Sequence, residues 1–440
     1  MQKTKAKTLA GFMELEPSKQ IIFNQMKEKI KKVFELNGLT PMDTPILEYS
    51  DVLLAKAGGE TEKQIYRFIK GENDICMRFD LTVPFAKYSA IFENQLIFPF
   101  KRYQIGKVFR GERTQKGRLR EFYQCDMDII DDGELSIYAD AECVSVLSQI
   151  FEALDFFITI RVSNRKLLGG ALNFYNLQEK QGEILSILDK QDKIGTEKTL
   201  EELIKITDKA KEILQLTAID SVEKLQNFEI ENAEFKQGVS EIKELFDIIK
   251  ILKPKNQVVL DIKVIRGLDY YTGTIFEANL LGFSEPISIG GGGRYDNLTQ
   301  NYTDKKLAGV GVSVGLSRLF DILDKNNLLE YKNNCISQVA IIPLGNTLNN
   351  CFEISKILKE NNIENEVLYF NKPFKNKMNY ANRKKVPFII VVGENEVKTQ
   401  IFGLKNMETG KVVETELEEI IKILGAEIGK NWKTNNRKRK

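Results

Sequence analysis

The chain has 440 residues, with 64 Lys and Arg against 62 Asp and Glu, and it contains no histidine. The missing imidazole excludes Ser-His-Asp and Cys-His hydrolases, histidine general bases and metal sites with histidine ligands. At roughly 100–200 residues per domain, this length predicts two or three domains, and 42% apolar residues are typical of a globular protein.

The first predicted elements are a helix and several short strands. Residues 17–37 predict a helix, because apolar residues recur at helical spacing and Gly38 supplies a stop. Pro45 then favours extended chain, and short strand patterns follow around 66–68 and 75–79.

Two long strands are predicted next, at 100–110 and 118–130, joined by a loop at 111–117. Both strands are unusually polar, which indicates that they line a site. If 118–128 is extended, alternate side chains share one face. That face carries Arg118, Arg120, Phe122, Gln124, Asp126 and Asp128. Cations at one end and acids at the other suit a ligand with phosphates and an amine or imidazole, and a salt-bridged surface hairpin is the alternative.

Residues 170–253 predict a helical insertion, since Leu, Ile, Glu and Lys recur there at helical periodicity. Strands are predicted again at 258–266, 274–280 and 286–290. A strand-to-helix transition follows at 307–325.

A second domain is predicted beyond an Asn- and Lys-rich linker at 326–335. From 336 to 428 strand and helix patterns alternate, which predicts a small α/β domain. Residues 1–325 form the first predicted domain, and 429–440 form a basic tail.

Three basic segments contrast with the net charge of +2. Lys101–Arg120 carries eight cations and one acid, whereas Lys372–Lys385 and Lys430–Lys440 carry six cations each. Together they would fit an extended polyanion such as a nucleic acid, and solvated surface is the alternative.

The five cysteines form no CxxC pair, and no apolar run approaches the length of a membrane-spanning helix. The amino terminus is basic without an apolar segment, so no secretory signal is expected. We therefore expect a cytoplasmic protein with free thiols and no membrane partner.

The segment FRGERTQKGRLREFYQ at 109–124 resembles motif 2 of class II aminoacyl-tRNA synthetases, and AGVGVSVGLSRL at 308–319 resembles their motif 3. RGLDYYTGTIFE at 266–277 is similar to the histidine-specific motif of the histidyl-tRNA synthetase family. Further matches are MRFDLTVPFAKY at 77–88, GGGGRYDNL at 290–298 and AGGETEKQIYRF at 57–68. The resemblance covers nearly the whole chain.

The resemblance implies an α+β fold, in which a class II synthetase-like antiparallel sheet forms the catalytic domain with its helical insertion. A small α/β anticodon-binding domain would follow. It also implies a homodimer, because residues 17–48 resemble the motif 1 helix, strand and Pro45 that pair two copies in class II synthetases. The dimer would activate L-histidine with ATP and Mg2+ and transfer the histidyl group to the 3' end of tRNA(His). No metal site of the protein itself is expected.

The family's ATP contacts carry over to this chain by resemblance. Arg110 would grip the α-phosphate, with Glu112 nearby and Arg118 toward the terminal phosphates. Phe122 joins these ATP-binding residues, and Arg318 would stack on the adenine.

The family's histidine contacts also carry over. The α-amino group would be held by Asp80, Thr82 and Gln124. The imidazole would be surrounded by Asp128, Tyr271 and Tyr270. Since Tyr270 and Tyr271 cannot both face one side of a strand, one of them is expected in the core.

The catalytic pair implied by the resemblance is Arg266 and Arg110. Arg266 would stabilise charge on the α-phosphoryl group, whereas an edge salt bridge is the alternative at the end of an apolar strand. Gly290–Gly293 would let backbone approach a ligand closely or form a flexible loop. Thr114 departs from the proline common in motif 2, within the loop expected to read the tRNA acceptor end.

Two other functions stay open. A synthetase-like regulatory subunit of ATP phosphoribosyltransferase would bind histidine without charging tRNA, but such paralogues generally lack the second domain and an intact histidine-specific motif. A prolyl, glycyl or threonyl synthetase would share the fold, whereas RGLDYY and Asp128 favour histidine.

Overall fold

The computed structural model describes residues 3–55, 62–112, 118–265, 271–283, 286–297, 299–331 and 335–431, with side chains as far as 426. The chain divides into two compact units. The first comprises Met1–Glu14 and Met26–Asn326, and the second comprises Leu15–Gln25 and Asn327–Lys440. The domain bounds at 1–325 and 336–428 stay predictions.

The strands of the first unit form an eight-stranded and a three-stranded sheet. In chain order they are β1 (Thr40–Pro41), β2 (Leu47–Tyr49), β3 (Arg67–Lys70), β4 (Asn73–Met77), β5 (Phe100–Phe109), β6 (Glu121–Asp132), β7 (Ile158–Asn164), β8 (Gln257–Leu260), β9 (Thr274–Leu280), β10 (Ile287–Tyr295) and β11 (Leu307–Gly315). The large sheet has the order β1-β5-β6-β11-β10-β9-β7-β8. Its pairings are antiparallel except β1 with β5 and β7 with β8, which confirms the predicted antiparallel sheet.

Of the α-helices in the described residues up to 325, three precede β5, one lies between β6 and β7, seven lie between β7 and β8, and one follows β11. In chain order they are α1 (Pro17–Leu36), α2 (Ser50–Leu54), α3 (Thr82–Ile91), α4 (Tyr138–Ala153), α5 (Arg165–Phe174), α6 (Gln181–Leu188), α7 (Gln191–Ile194), α8 (Thr196–Ile204), α9 (Ala210–Thr217), α10 (Val222–Gln226), α11 (Ala233–Leu252) and α12 (Leu316–Lys325). Helices α5 to α11 lie between β7 and β8, where periodicity predicts the insertion. Helix α1 ends just before Gly38, whose φ is +73°, so the predicted first helix is confirmed.

Two strand predictions near the middle of the chain are wrong in length. Strand β8 ends at Leu260 because the Asp261 carboxylate accepts a hydrogen bond from the Lys263 amide at 3.1 Å and turns the chain. Strand β10 continues to Tyr295, so the glycines at 290–293 lie within a paired strand and the flexible-loop alternative is wrong. A Cβ atom on Gly292 would overlap the Gly311 carbonyl, which explains a glycine there.

The second unit contains a five-stranded sheet with the order β13-β12-β14-β15-β16. Its strands are β12 (Val339–Pro343), β13 (Asn365–Val367), β14 (Phe388–Val392), β15 (Phe402–Asn406) and β16 (Val412–Thr415). Its helices are α13 (Leu348–Glu360), α14 (Phe374–Arg383), α15 (Glu394–Thr399) and α16 (Leu417–Asn431). Successive residues of β12 enter two different apolar clusters, as expected for a sheet covered on both faces. The predicted α/β architecture is confirmed.

Among the described residues, no helix is long and apolar enough to cross a membrane. All five cysteines are free, and four of them are buried.

Candidate active site

A cavity of about 230 Å³ lies over neighbouring strands β6, β11 and β10. Backbone of glycines on β10 and β11 forms part of its wall. Its polar lining residues are Gln64, Asp80, Thr82, Arg110, Gln124, Asp126, Asp128, Tyr271, Tyr295 and Ser313. The cavity therefore gathers residues from segments that are up to about 250 positions apart in sequence.

The register of the strands explains why carboxylates meet there. Asp128 and Asp126 lie two residues apart on β6 and therefore share a face. Asp128 is opposite Gly311 on β11, and Asp126 is opposite Ser313. A Cβ atom on Gly311 would overlap Asp128 Oδ1, so glycine leaves room for the carboxylate. The alternation predicted for Gln124, Asp126 and Asp128 is what the strand displays.

Asp128 is buried between a cation and a phenol. Its Oδ2 atom lies 2.5 Å from Arg102 Nη2, and its Oδ1 atom accepts a hydrogen bond from the Tyr295 hydroxyl at 2.6 Å. Burial raises the pKa of Asp128, and the positive charge of Arg102 opposes this rise. Tyr295, buried against the carboxylate, has a pKa raised well above its usual value.

Asp80 and Asp126 also titrate abnormally. Burial raises the pKa of Asp80 to about 6, although its carboxylate accepts the Val83 amide at 3.1 Å at the start of α3. Burial raises the pKa of Asp126 to about 7, and the negative charge of Asp128 adds to this rise. Both carboxyl groups would ionise more readily beside a bound cation.

Three buried acceptor atoms in the cavity have no hydrogen-bond partner among the described residues. They are Asp126 Oδ1, Gln124 Oε1 and Asp128 Oδ2, of which the last is paired with the charge of Arg102. The amide nitrogen of Gln124 is already used, since it donates to Ser313 Oγ at 2.8 Å. Buried acceptors without partners are costly, so this part of the cavity suits a ligand with N–H donors.

Arg110 lies on the cavity wall at the end of β5. Its Nε atom donates to the Phe79 carbonyl at 3.0 Å, and its guanidinium carbon lies 5.2 Å from the centre of the Phe122 ring. These contacts orient a fixed fork of donors that suits a phosphate oxygen pair.

The other predicted ATP contacts do not line the cavity. Arg118 forms an exposed pair with Glu112 at 3.3 Å. Phe122 lies under Arg110, and Arg318 is half-buried on α12. Arg266, Tyr270 and Thr114 lie outside the described residues.

Sequence reasoning missed several residues of this site. Tyr295 and Ser313 lie within segments that resemble the family, so their place in those segments could have indicated that they belong to the site. Asp126 shares the predicted face of Asp128 but received no role. Arg102 was counted in a basic segment, yet it has 0% exposure, because cross-strand register places it opposite Asp128.

The basic segments are partly neutralised within the chain. Lys101 pairs with Glu142 at 2.6 Å, Lys107 with Glu121 at 2.8 Å, and Lys384 with Glu366 at 2.8 Å. Among the described residues, no group of three or more Cys, Asp or Glu side chains could hold a metal ion.

Two family models match consecutive parts of this chain, and a curated relative covers both parts. A family model described as histidyl-tRNA synthetase matches residues 11–319, and an anticodon binding domain model matches residues 338–427. The histidine–tRNA ligase of Clostridium tetani is 44% identical over 96% of this chain and 98% of its own length.

Solved structures give the same picture. The histidyl-tRNA synthetase of Nostoc sp. PCC 7120 is 30% identical, covers 97% of this chain and 100% of its own, and has a TM-score of 0.88. A structure from Bacillus halodurans, titled an ATP phosphoribosyltransferase regulatory subunit/histidyl-tRNA synthetase, has a TM-score of 0.73 at 15% identity over 89% of this chain and 99% of its own. That second likeness concerns the fold alone.

Proposed function

The chain belongs to the histidyl-tRNA synthetase family, and on that premise we propose how its cavity serves the reaction. It is a histidine–tRNA ligase, a class II aminoacyl-tRNA synthetase with an anticodon-binding domain. Histidine and ATP form histidyl-adenylate and pyrophosphate, and the histidyl group then passes to the 3' end of tRNA(His). The observation that carries the proposed residue roles is the cavity itself, with buried carboxyl groups and acceptor atoms beside Arg110.

The histidine substrate would lie along the carboxyl groups of the cavity. Its α-ammonium group would be held by Asp80, Thr82 and Gln124, which line the cavity together. A bound ammonium would neutralise the buried Asp80 carboxylate and lower its pKa. The imidazole would contact Asp128 and Tyr271, with Tyr270 nearby as the resemblance implies.

ATP would bind with its α-phosphate against Arg110, since this guanidinium is the cation that lines the described part of the cavity. Glu112 and Arg118 would serve the terminal phosphates, and Phe122 and Arg318 the rest of the nucleotide. Mg2+ would accompany ATP and neutralise its outer phosphates.

Adenylation would proceed by in-line attack of the histidine carboxylate on the α-phosphorus. The attacking group is already ionised at neutral pH, so the step needs positioning and charge neutralisation and no general base. Arg110 and Arg266 would supply that neutralisation. This accounts for catalysis by a chain without histidine.

In the transfer step, an adenylate phosphate oxygen would accept the proton of the tRNA ribose hydroxyl. A side-chain carboxylate is the competing base. A carboxylate variant that loses transfer but keeps adenylation would contradict the phosphate-oxygen role.

We extend the proposal to the assembly. The second unit would bind the anticodon, with the Lys372–Lys385 segment on phosphates, because α14 exposes Lys375 and Arg383 there. Residues 17–48, which resemble motif 1, would pair two copies into a homodimer. The enzyme would act in the cytoplasm.

The decisive experiment is histidine-dependent exchange of pyrophosphate into ATP by the purified chain. A regulatory subunit would bind histidine without exchange, and a prolyl, glycyl or threonyl enzyme would require its own amino acid. Arg266→Ala should abolish exchange while circular dichroism stays unchanged. Near-normal exchange in that variant would overturn the assigned role.

A further inference from the structure

Arg102 is a fully buried cation in the wall behind the cavity. It lies on β5 directly opposite Asp128 on β6, and its Nη2 atom is 2.5 Å from Asp128 Oδ2. The guanidinium also donates to the Leu81 carbonyl at 3.2 Å and the Gln104 side chain at 3.3 Å. Its central carbon lies 4.3 Å from the centre of the Phe85 ring. Contacts on several sides leave this side chain little freedom to reorient.

Arg102 does not line the cavity, whereas Asp128 does. In this ion pair the Asp128 carboxylate therefore faces the cavity, and the Arg102 guanidinium lies on the side of the carboxylate away from it. A substrate in the cavity would touch Asp128 and would be separated from Arg102 by it. Any effect of Arg102 on the substrate must therefore pass through the carboxylate.

We propose that Arg102 is a positioning residue for histidine recognition, which keeps Asp128 ionised and oriented so that it accepts a hydrogen bond from the substrate imidazole. The inference rests on the proposed contact between Asp128 and the imidazole. Each carboxylate oxygen has two lone pairs, and Arg102 and Tyr295 engage one oxygen each. Acceptor capacity is therefore left for a ring N–H, while the carboxylate is held at both oxygens.

The charge balance around Asp128 explains why the cation is needed. Among the described residues, Arg102 on β5 and Tyr295 on β10 act directly on Asp128. Asp128 also interacts electrostatically with Asp126 on β6, Asp80 before α3 and Cys143 on α4. Arg102 is the cation of this set. Without it, the pKa of Asp128 would be raised further by burial, which favours the protonated carboxyl, and a protonated carboxyl would offer a donor to the imidazole.

The test measures the KM for histidine and for ATP, together with kcat, in pyrophosphate exchange. Arg102→Met removes the charge and keeps much of the volume. Arg102→Lys keeps the charge but loses the planar fork. Asp128→Asn, alone and combined with Arg102→Met, completes a double-mutant cycle.

Arg102→Met should raise the KM for histidine by about 30-fold or more, as expected when one partner of a buried charge pair is removed, while the KM for ATP stays nearly unchanged. Arg102→Lys should recover part of the histidine affinity. Because Arg102 acts through Asp128, the double variant should be no worse than Asp128→Asn alone. An unchanged histidine KM in Arg102→Met, or additive effects in the double variant, would overturn the proposal.

A matched control separates this role from general damage to the sheet. Arg161 on β7 pairs with Asp261 at 2.7 Å and Glu277 at 3.0 Å, and these three side chains do not line the cavity. Arg161→Met should leave both KM values unchanged. If Arg102→Met does not fold, the other two variants still test the proposal. The double variant leaves no unpaired charge, and Arg102→Lys retains the ion pair. If wild-type enzyme lacks histidine-dependent exchange, the proposed function fails before this inference is tested.

Discussion

The central strands of the two sheets bury very different side chains. On β5 and β6 of the first unit, Arg102, Asp126 and Asp128 are each no more than 2% exposed. The buried residues of the five strands in the second unit are all apolar, with Ile341, Ile389 and Ile390 among the most buried. Both sheets obey the same packing rules, yet only one of them carries buried charge.

The difference indicates that the strands of the second unit mainly stabilise the fold, whereas β5 and β6 carry side chains for the reaction. Burying a charge is unfavourable unless it is paired and hydrogen-bonded, so buried Asp126, whose Oδ1 atom has no hydrogen-bond partner among the described residues, is unfavourable for the fold. The apolar strands of the second unit carry no such cost. Changes in the cavity should therefore affect activity more than folding, and changes in the second core should do the opposite.

The largest expected effect is on catalysis. Arg110→Ala should lower the rate of histidine-dependent pyrophosphate exchange by about 10²–10³-fold, because the loss of one preorganised charge donor commonly costs that much. Circular dichroism should show a folded protein. Lys107→Ala is the matched control on the same strand, since Lys107 pairs with Glu121 outside the cavity, and its exchange should be normal. Near-normal exchange in Arg110→Ala would contradict the idea that the cavity residues serve catalysis.

A change in the second core should act on stability instead. Ile390→Ala deletes a fully buried side chain and should lower the free energy of unfolding of the second unit by roughly 2–5 kcal/mol. Urea unfolding followed by circular dichroism measures this loss. Exchange per folded enzyme should be unchanged below the unfolding transition. Ile357→Ala on α13, at an exposed position, should cost clearly less.

The smallest effect concerns pH. The pKa of Asp126 is about 7 in the folded chain against a usual 3.8, so the folded state binds this proton more tightly. Its stabilising contribution is complete below about pH 3.8 and is lost as the pH rises through about 7. Asp126→Asn cannot titrate. The free energy of unfolding of this variant should therefore rise relative to that of the wild type by up to about 1.4 kcal/mol per pH unit between pH 5 and 6, and by less toward pH 7, where Asp126 is half ionised.

Urea unfolding of the wild type and Asp126→Asn at a series of pH values measures that gain. A difference that stays constant across this pH range would contradict it. Bound histidine should reduce the difference, since its ammonium group would stabilise the ionised carboxyl groups of the cavity.

Helical periodicity and strand alternation predicted much of the fold correctly. Helix α1 and strand β9 lie where they were expected, because both patterns are local. The end of β8 and the length of β10 were not predictable in this way. The first depends on a turn held by Asp261, and the second on the close approach of Gly292 to the Gly311 backbone.

The family, the kind of reaction and one face of β6 could all be inferred from the amino-acid sequence alone. Those inferences needed only motifs and a period of two residues, which are properties of continuous segments. Tertiary structure decided that Arg102 and Tyr295 meet at Asp128, because these residues come from three strands whose register depends on the whole sheet. The same burial raised the pKa values of Asp80 and Asp126, since the loss of water around a carboxyl group is a property of the folded cavity and of no single segment.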